Sequence, residues 1–318
     1  MGEKMQLHIP VALDRCIALL APAIEKSSTP LIIDATLGMG GHTKALLESF
    51  PSLRVIAFDR DPAAIVIAEQ SLGSLLNRVT IIHDVYDRIE DSLNDLGITE
   101  VDGVLFDLGV SSMQLDDAER GFAYSQDAPL DMRMDQSSGK SAYEILYSYS
   151  RSDLIHVIRS YGEEKFAPRI VDNIIAARES GRLKTTKDLA DIVKESIPAP
   201  ARRTGGNPAK RTFQALRIEV NQELEVLERA IPQALAALKV GGRIVVMAYQ
   251  SLEDKIVKKA FAQVTASGTP LGLPVDLPNS AAKFNFVLRG SEGASESEIE
   301  ANSRAGSMRL RCVERAAA

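Results

Sequence analysis

The stretch Leu31-Ile32-Ile33-Asp34-Ala35-Thr36-Leu37-Gly38-Met39-Gly40-Gly41-His42 constrains the fold of this chain more than any other. An apolar run of strand character ends in an acidic residue, passes through a glycine-rich turn and enters the helical pattern Thr43-Lys44-Ala45-Leu46-Leu47. That is the first strand-turn-helix unit of a nucleotide-type α/β fold, where glycines let backbone approach a ligand closely. The next strand, Arg54-Val55-Ile56-Ala57-Phe58, ends in Asp59, about twenty residues beyond Gly40. A carboxylate at that strand tip accepts hydrogen bonds from both hydroxyls of a ribose. Together the two features predict an adenosine-containing cofactor lying across the strand ends.

The loop discriminates between cofactors. A dinucleotide fingerprint G-x-G-x-x-G starting at Gly38 needs glycine where Thr43 stands, and a phosphate-cradling G-x-x-x-x-G-K-[ST] loop is absent. Asp34, just ahead of the glycines, repels a pyrophosphate and suits a cationic ligand such as a sulfonium or its ammonium group. S-adenosylmethionine is therefore favoured over a dinucleotide. A glycine turn with no cofactor is the plainer alternative.

Composition narrows the classes further. A chain of 318 residues has room for one large domain or two ordinary ones. Its formal net charge of -6 means that any nucleic-acid binding comes from a local patch, not from the molecule as a whole. Cys16 and Cys312 are too far apart in sequence to form a motif, and no Cys/His cluster supports a metal site. No signal peptide or membrane-length apolar run is evident, so a cytoplasmic protein with no membrane association is expected.

Strand candidates continue at Val79–Ile82, ahead of His83 and Asp84, and at Gly103–Phe106, ahead of Asp107. Tyr86 to Leu96 between them has a helical pattern. The alternation then stops and resumes only at Gly241 to Ala248, a strand launched by a glycine turn. The interruption reads as a second, mostly helical domain, with 1–112 and 219–318 forming the host and 113–218 the insert. Its first part, Ser111 to Lys140, is loop-like. Ser150 with Asp153 and Thr185 with Asp188 mark helix starts. Phe166, Ile170, Ile174 and Ala177 fall at helical spacing ahead of Gly181, and Asp188 to Ile197 is a helix stopped by Pro198 and Pro200. After Tyr249 come a helix over Ser251–Val264 and an irregular stretch with Pro270, Pro274 and Pro278. Terminal strands are expected at Phe284–Leu288 and Met308–Val313, with Ser291 to Asn302 between them as a mobile loop. Seven strands with an antiparallel last pair match, by analogy, the doubly wound sheet of class I methyltransferases.

Two segments carry substrate chemistry. Ser196 to Ile218 holds Arg202, Arg203, Lys210, Arg211 and Arg217 without an acidic residue, a local field suited to phosphates. A solvated basic loop is the bland reading of the same run. Phe213 sits among these charges and suits either base stacking or a buried helix position. Carboxy-terminal Arg304, Arg309, Arg311 and Arg315 extend the same surface or decorate an edge strand. Asp107-Leu108-Gly109-Val110-Ser111-Ser112 leaves the fourth strand where a methyl acceptor meets the sulfonium. An exocyclic amine has its lone pair delocalised into the ring and needs acceptors for its protons; Asp107 and nearby carbonyls supply them. The alternative for Asp107 is a capping or turn carboxylate. His42 is expected to shape the cofactor pocket, whereas His8, His83 and His156 show no partner spacing.

At these residues the chain resembles the bacterial small-subunit ribosomal RNA (cytosine-N4)-methyltransferases over nearly its full length. The resemblance is carried by His8–Val11, Asp34–His42, Asp107–Gln114, Glu119–Phe122 and Pro129–Met134. It continues through Tyr161–Glu164, Arg211–Ile218, Ser251–Asp254 and the arginine-bearing terminal strand. It implies S-adenosylmethionine-dependent methylation of the N4 amine of a cytosine in the decoding region. The implied partner is ribosomal RNA within the small ribosomal subunit, and a homodimer is an oligomeric state left open. Carried onto this chain, the cofactor pocket comprises Gly40, Gly41, His42, Asp59, Tyr86, Asp107 and Gln114, of which Tyr86 and Gln114 come from the resemblance alone.

The expected mechanism is an in-line displacement onto a flipped cytosine, with Asp107 accepting from the amine and Tyr249 stacking on the base. Arg133 beside Asp131 helps close the site, and the 202–217 patch anchors phosphates. There are departures from the family. It usually reads Ser-Phe-His-Ser-Leu-Glu-Asp where this chain has Ala248-Tyr249-Gln250-Ser251-Leu252-Glu253-Asp254, so no histidine base stands at 250. Gln250 retains the capacity to orient a cytosine edge. Asn207 replaces a frequent histidine, and Asn302-Ser303-Arg304 lacks the usual proline. A different S-adenosylmethionine enzyme and a non-catalytic assembly factor remain the rival readings.

Overall fold

The computed structural model describes residues 10–202, 206–267 and 281–317. The chain divides into two compact units, 1–109 with 224–318 and the contiguous 110–223. These boundaries differ by a few residues from the 112/113 and 218/219 expected above. The difference at the second arises because one helix runs on past Ile218 to Asn221.

The first unit opens with α1 (Leu13–Glu25), β1 (Leu31–Asp34), α2 (Gly41–Ser49), β2 (Arg54–Asp59), α3 (Pro62–Leu72), β3 (Val79–His83), α4 (Ile89–Asp95) and β4 (Val101–Asp107). The helical unit supplies α5 (Ser112–Asp116), α6 (Ala142–Ser148), α7 (Arg151–Gly162), α8 (Ala167–Glu179), α9 (Thr186–Ser196), α10 (Ala199–Arg202) and α11 (Lys210–Asn221). The chain then adds α12 (Glu223–Ala237), β5 (Leu238–Ala248), α13 (Ser251–Thr265), β6 (Phe284–Phe286), α14 (Glu296–Ala301) and β7 (Arg309–Arg315).

The seven strands form one sheet in the order β3-β2-β1-β4-β5-β7-β6, parallel except for the two pairings of β7. This is the doubly wound sheet of class I methyltransferases. The apolar runs of β1, β2, β4 and the last half of β5 are buried on both faces, as the centre of a parallel sheet requires, whereas the edge strands β3 and β6 are not. Alternate residues divide between the faces. Ile33, Ile56, Phe58, Val104, Phe106 and Val246 pack with α4, α12 and α13, whereas Ile32, Val55, Leu105 and Met247 pack with α1 and α2. Parallel pairing aligns the carboxyl ends of β1, β2 and β4, so Asp34, Asp59 and Asp107 stand at the same edge.

Four expectations change. Ser291 to Asn302 is not a loop throughout: Ser295 and Glu298 form a reciprocal capping box that starts α14. Glu298 also accepts the Ala12 backbone N–H at 2.8 Å, and Glu292 pairs with Arg15 at 2.7 Å. Gly241 does not launch a strand but sits inside β5 with φ +84°, at a register shift between β4 and β5. Ser111 to Lys140 contains α5, started by a Ser111–Gln114 capping box, and a 3₁₀ turn over Ala118–Arg120. Pro198 does follow the end of α9, yet Pro200 lies within the short α10 and stops nothing. Residues 268–280, with the three prolines noted above, lie outside the described residues.

The helical unit has its own core, including Leu130, Met132, Ile145, Leu154, Ile170, Ile174, Leu189 and Leu216. Phe213 belongs to it, 4% exposed, so the buried reading of that residue holds. Buried Asn221 organises the chain around Met132, whose φ of +62° is costly for a side chain of that size. Its Oδ1 accepts the Met134 N–H at 2.8 Å, and its Nδ2 donates to the carbonyls of Met132 and Arg217. Asn221→Ala is expected to lower the stability of this unit by about 3 kcal/mol, because it strands buried backbone groups. Urea unfolding measures that loss; a midpoint within error of wild type would show that water replaces the amide.

Among the described residues no helix is long and apolar enough to cross a membrane, and no group of three or more metal-ligating side chains gathers.

Candidate active site

The glycine loop is built around Asp34. Its Oδ2 accepts the Thr43 hydroxyl at 2.6 Å, its Oδ1 accepts the Thr36 N–H at 3.1 Å, and the residue is 1% exposed. Burial raises the carboxyl pKa, with both hydrogen bonds working against that shift. The sequence reading aimed this charge at a cationic ligand. The structure corrects that: the carboxylate is an internal tie holding the start of α2 to the end of β1. Gly38 and Gly40 take left-handed φ values of +52° and +80°. Gly41 is glycine for a different reason, since a Cβ there would lie 2.5 Å from Pro10 Cγ. His42, buried next to it, has Nε2 3.2 Å from the Val11 carbonyl oxygen. The matching residues His8 and Ile9 lie outside the described residues.

Asp59 is partly exposed at the tip of β2. Its Oδ2 accepts the Gly38 N–H at 2.7 Å and its Oδ1 the Asp61 N–H at 2.8 Å, so it fixes the loop while each oxygen retains acceptor capacity. Burial pushes its carboxyl pKa up to about 6, despite those two bonds. Tyr86, partly buried, meets Phe106 edge to face with ring centroids 5.4 Å apart.

Asp107 is the best-supported side chain at the end of β4. Its Oδ1 accepts the Tyr249 hydroxyl at 2.8 Å, its Oδ2 lies 3.7 Å from His42 Nδ1, and its backbone N–H donates to the Thr36 hydroxyl at 2.7 Å. Burial, then the negative charge of Asp107, raises the phenol pKa of Tyr249, so the hydroxyl stays a donor at any working pH. The hydroxyl of Tyr249, the residue expected to stack on a base, makes the bond that aims the Asp107 carboxylate. Buried Glu253 sets the Tyr249 backbone by accepting its N–H at 3.0 Å. Glu253 also accepts the Gln250 N–H, while Gln250 caps α13 and donates from Nε2 to Glu253 Oε1 at 3.2 Å. The residue in the place of the family's histidine is thus engaged in a helix cap. Thr36 and Glu253 escaped the sequence reading. Glu253 was findable, three residues after the helix-starting Gln250; nothing local marked Thr36.

The remaining expected residues lie in the helical unit. Gln114 is buried, and its Oε1 accepts the Ser111 N–H at 3.0 Å within the α5 cap. Arg133 forms a two-point pair with Asp131, at 2.7 and 3.0 Å, which lowers the Asp131 pKa against the effect of burial. Arg202 donates to the Ile197 carbonyl at 2.6 Å. Lys210 and Arg211 are exposed in the first turn of α11, whereas Arg217 is held by Glu223 through two bonds of 2.8 Å. Asn207, at the family's other histidine, accepts the Ala209 N–H with its side chain at 2.9 Å. Arg203 lies outside the described residues, as does the side chain of Arg304. Arg311 is paired with Asp254, and Arg315 donates to the carbonyls of Ala236 and Leu238, so these two serve the sheet.

Comparison with known proteins gives the family of the chain. Three curated relatives are named "Ribosomal RNA small subunit methyltransferase H". The one from Mycolicibacterium smegmatis is 55% identical over 312 residues, covering 97% of this chain and 84% of the relative. That from Renibacterium salmoninarum is 53% identical, covering 97% and 94%. The Kocuria rhizophila protein is 54% identical, covering 98% and 94%. The model of the MraW methylase family matches residues 5–316, which takes in both units. With that match over nearly its whole length and more than half of its residues identical to each of these relatives, the chain belongs to the MraW methylase family.

Proposed function

We propose that this protein methylates the N4 amine of a cytosine in the decoding region of small-subunit ribosomal RNA, using S-adenosylmethionine. Full-length identity above half to the named methyltransferases supports the reaction class. The single observation that carries the chemistry is the carboxylate of Asp107, oriented by Tyr249 at the carboxyl end of β4.

The residues present fit the cofactor. Asp59 retains acceptor capacity suited to ribose hydroxyls, Tyr86 offers an aromatic face for adenine, and Gly38, Gly40, Gly41 and His42 form the turn beside them. When bound, S-adenosylmethionine supplies an electrophilic methyl group on a sulfonium. The chain's own task is to make the amine a nucleophile. Asp107 accepts a hydrogen bond from the N4 amine, which localises its lone pair as the proton is drawn away. Tyr249 holds Oδ1 in place throughout, and the Thr36 hydroxyl fixes the Asp107 backbone. Within the helical unit, Gln114 is proposed for the cofactor and Arg133 for RNA, with Lys210 and Arg211 on phosphates. Arg202 and Arg217 serve that purpose less well, being engaged with a backbone carbonyl and with Glu223. The reading extends to RNA presented in the small subunit, in the cytoplasm; sedimentation of the purified chain distinguishes a monomer from a homodimer.

The decisive experiment is transfer of labelled methyl groups to small subunits lacking the modification, followed by nuclease digestion and nucleoside analysis. N4-methylated cytidine is the expected product. Cofactor and subunit binding with no methylated nucleoside would point instead to an assembly factor.

A pH dependence follows from Asp59. Ribose hydroxyls donate to its ionised form, so cofactor binding releases a proton wherever the free carboxyl is protonated. Affinity is expected to be flat above about pH 6 and to fall by up to about tenfold per unit below it. Calorimetric titration at several pH values checks this; constant affinity from pH 7 to 5 would remove Asp59 from the ribose.

A further inference from the structure

Several arginines of the helical unit are committed. Arg133 is paired with Asp131, Arg151 with Asp172 and Arg217 with Glu223, while Arg178 donates to the carbonyls of Leu146 and Tyr149. A second group is arranged differently. Arg159 in the last turn of α7, Lys165 just after it, Arg169 in the first turn of α8 and Lys210 at the start of α11 are all exposed. Among the described residues no ion pair joins any of these four to a carboxylate.

Backbone packing gathers them. Gly162 ends α7 against the first turn of α11, where a Cβ on the glycine would lie 2.6 Å from the Arg211 carbonyl oxygen. Arg211 reaches back across this contact, with Nη1 3.4 Å from the Glu163 carbonyl oxygen and 3.9 Å from Glu164 Oε2. Its side chain is still 58% exposed. Lys165 follows directly, its ammonium 5.3 Å from the Phe166 ring centroid. Glu164 is buried and Glu163 is the exposed acid in their midst. Five cations are therefore carried by the end of α7, the α7–α8 turn, the first turn of α8 and the first turn of α11, on a chain of net charge -6.

The placement has a cost. Arg169, Lys210 and Arg211 lie in the first turns of α8 and α11, which carry no acidic residue. Cations there oppose the helix dipole and repel one another. An anionic ligand relieves both effects. Two lysines supply mobile point charges and three arginines supply forks that match phosphate oxygens, a mixture suited to a polyanion with repeated phosphates.

We propose that the α7–α8 turn and the first turn of α11 form an RNA-backbone surface in which Arg159, Lys165 and Arg169 act with Lys210 and Arg211. This deepens the RNA-methylation reading above and rests on it. Contacts of this kind supply grip and register, not base identity.

The test uses the whole protein with two probes: a naked fragment of small-subunit ribosomal RNA containing the decoding region, and intact small subunits lacking the modification. Affinity is measured across a range of potassium chloride for wild type and for the triple variant Arg159→Gln, Lys165→Gln, Arg169→Gln. A charge-preserving triple, Arg159→Lys, Lys165→Arg, Arg169→Lys, is run beside it. The neutral triple is expected to bind naked RNA about tenfold or more weakly near 0.1 M salt, with the slope of log affinity against log salt reduced by roughly 2. The charge-preserving triple should keep both values, and cofactor binding should be unchanged in all three. Lys165→Gln alone, at an exposed turn, should show the same effect at smaller size even if the triple folds poorly. Unchanged affinity and slope in the neutral triple, with wild type methylating RNA, overturns the surface alone. Weakened binding to subunits with unchanged binding to naked RNA also overturns it, assigning the patch to a protein partner. A wild-type chain that neither binds nor methylates RNA overturns the functional reading as well.

Discussion

Replacing Asp107 with asparagine is expected to lower methyl transfer by about 10²- to 10⁴-fold, the range lost with a positioned proton acceptor. Asparagine is close to the same shape and its carbonyl still accepts from the Tyr249 hydroxyl, so the end of β4 keeps its conformation. The other half of the side chain becomes a donor, however. It then faces the His42 ring nitrogen, 3.7 Å from the present oxygen, and offers the cytosine amine a donor where it needs an acceptor. Tyr249→Phe isolates the aiming from the acceptance: it keeps the ring and deletes one bond to a charged oxygen. About tenfold is expected, from the usual worth of such a bond. Single-turnover rates with calorimetric cofactor affinities separate chemistry from binding. Wild-type turnover by Asp107→Asn would sink the proposed role of the carboxylate.

The second large effect concerns folding. Gly121, just past the 3₁₀ turn at Ala118–Arg120, has φ +73°, and a Cβ there would lie 2.2 Å from the Pro129 carbonyl oxygen and 2.9 Å from the Asp131 nitrogen. Both obstacles are backbone and cannot rotate away. Gly121→Ala combines a left-handed conformation costing about 1–2 kcal/mol with overpacking of about 1–3 kcal/mol. A total loss near 4 kcal/mol is expected. Gly139→Ala is the control, because Gly139 has a similar φ of +74° with no atom within 4 Å of its Cβ position. It should show the conformational part alone. Denaturant unfolding of the two variants decides the matter, and equal losses would mean that the 129–131 segment gives way.

The parts of this architecture that were legible in the sequence are those written in local chemistry. Apolar runs ending in Asp34, Asp59 and Asp107 gave strands and their polar edge, and Ser150 and Thr185 proved to be side-chain caps with the partners their spacing indicated. Ser295 and Glu298 carry the same signal, but the small, acidic composition around them resembled a loop and hid it. The site was less legible because its bonds join distant residues. Tyr249 meets Asp107 only because β4 and β5 pair with Asp107 opposite Met247. Arg78 likewise donates to the carbonyls of Leu47, Phe50, Pro51 and Leu53 at the end of α2. The basic run from Ser196 to Ile218 looked free of acids because it stops one residue before Glu219 and short of Glu223, the partner of Arg217.

The strand order has a consequence for synthesis on the ribosome. β4 is a central strand in the finished sheet, yet its neighbour β5 begins only at Leu238, after the whole helical unit has been made. The contiguous helical unit therefore emerges entire while β4 still has an open edge, and β7, the other neighbour of β5, is the last strand translated. Nascent chains stalled before Leu238 present an apolar sheet margin with unpaired amides, the kind of surface that chaperones shield and that aggregates when left bare.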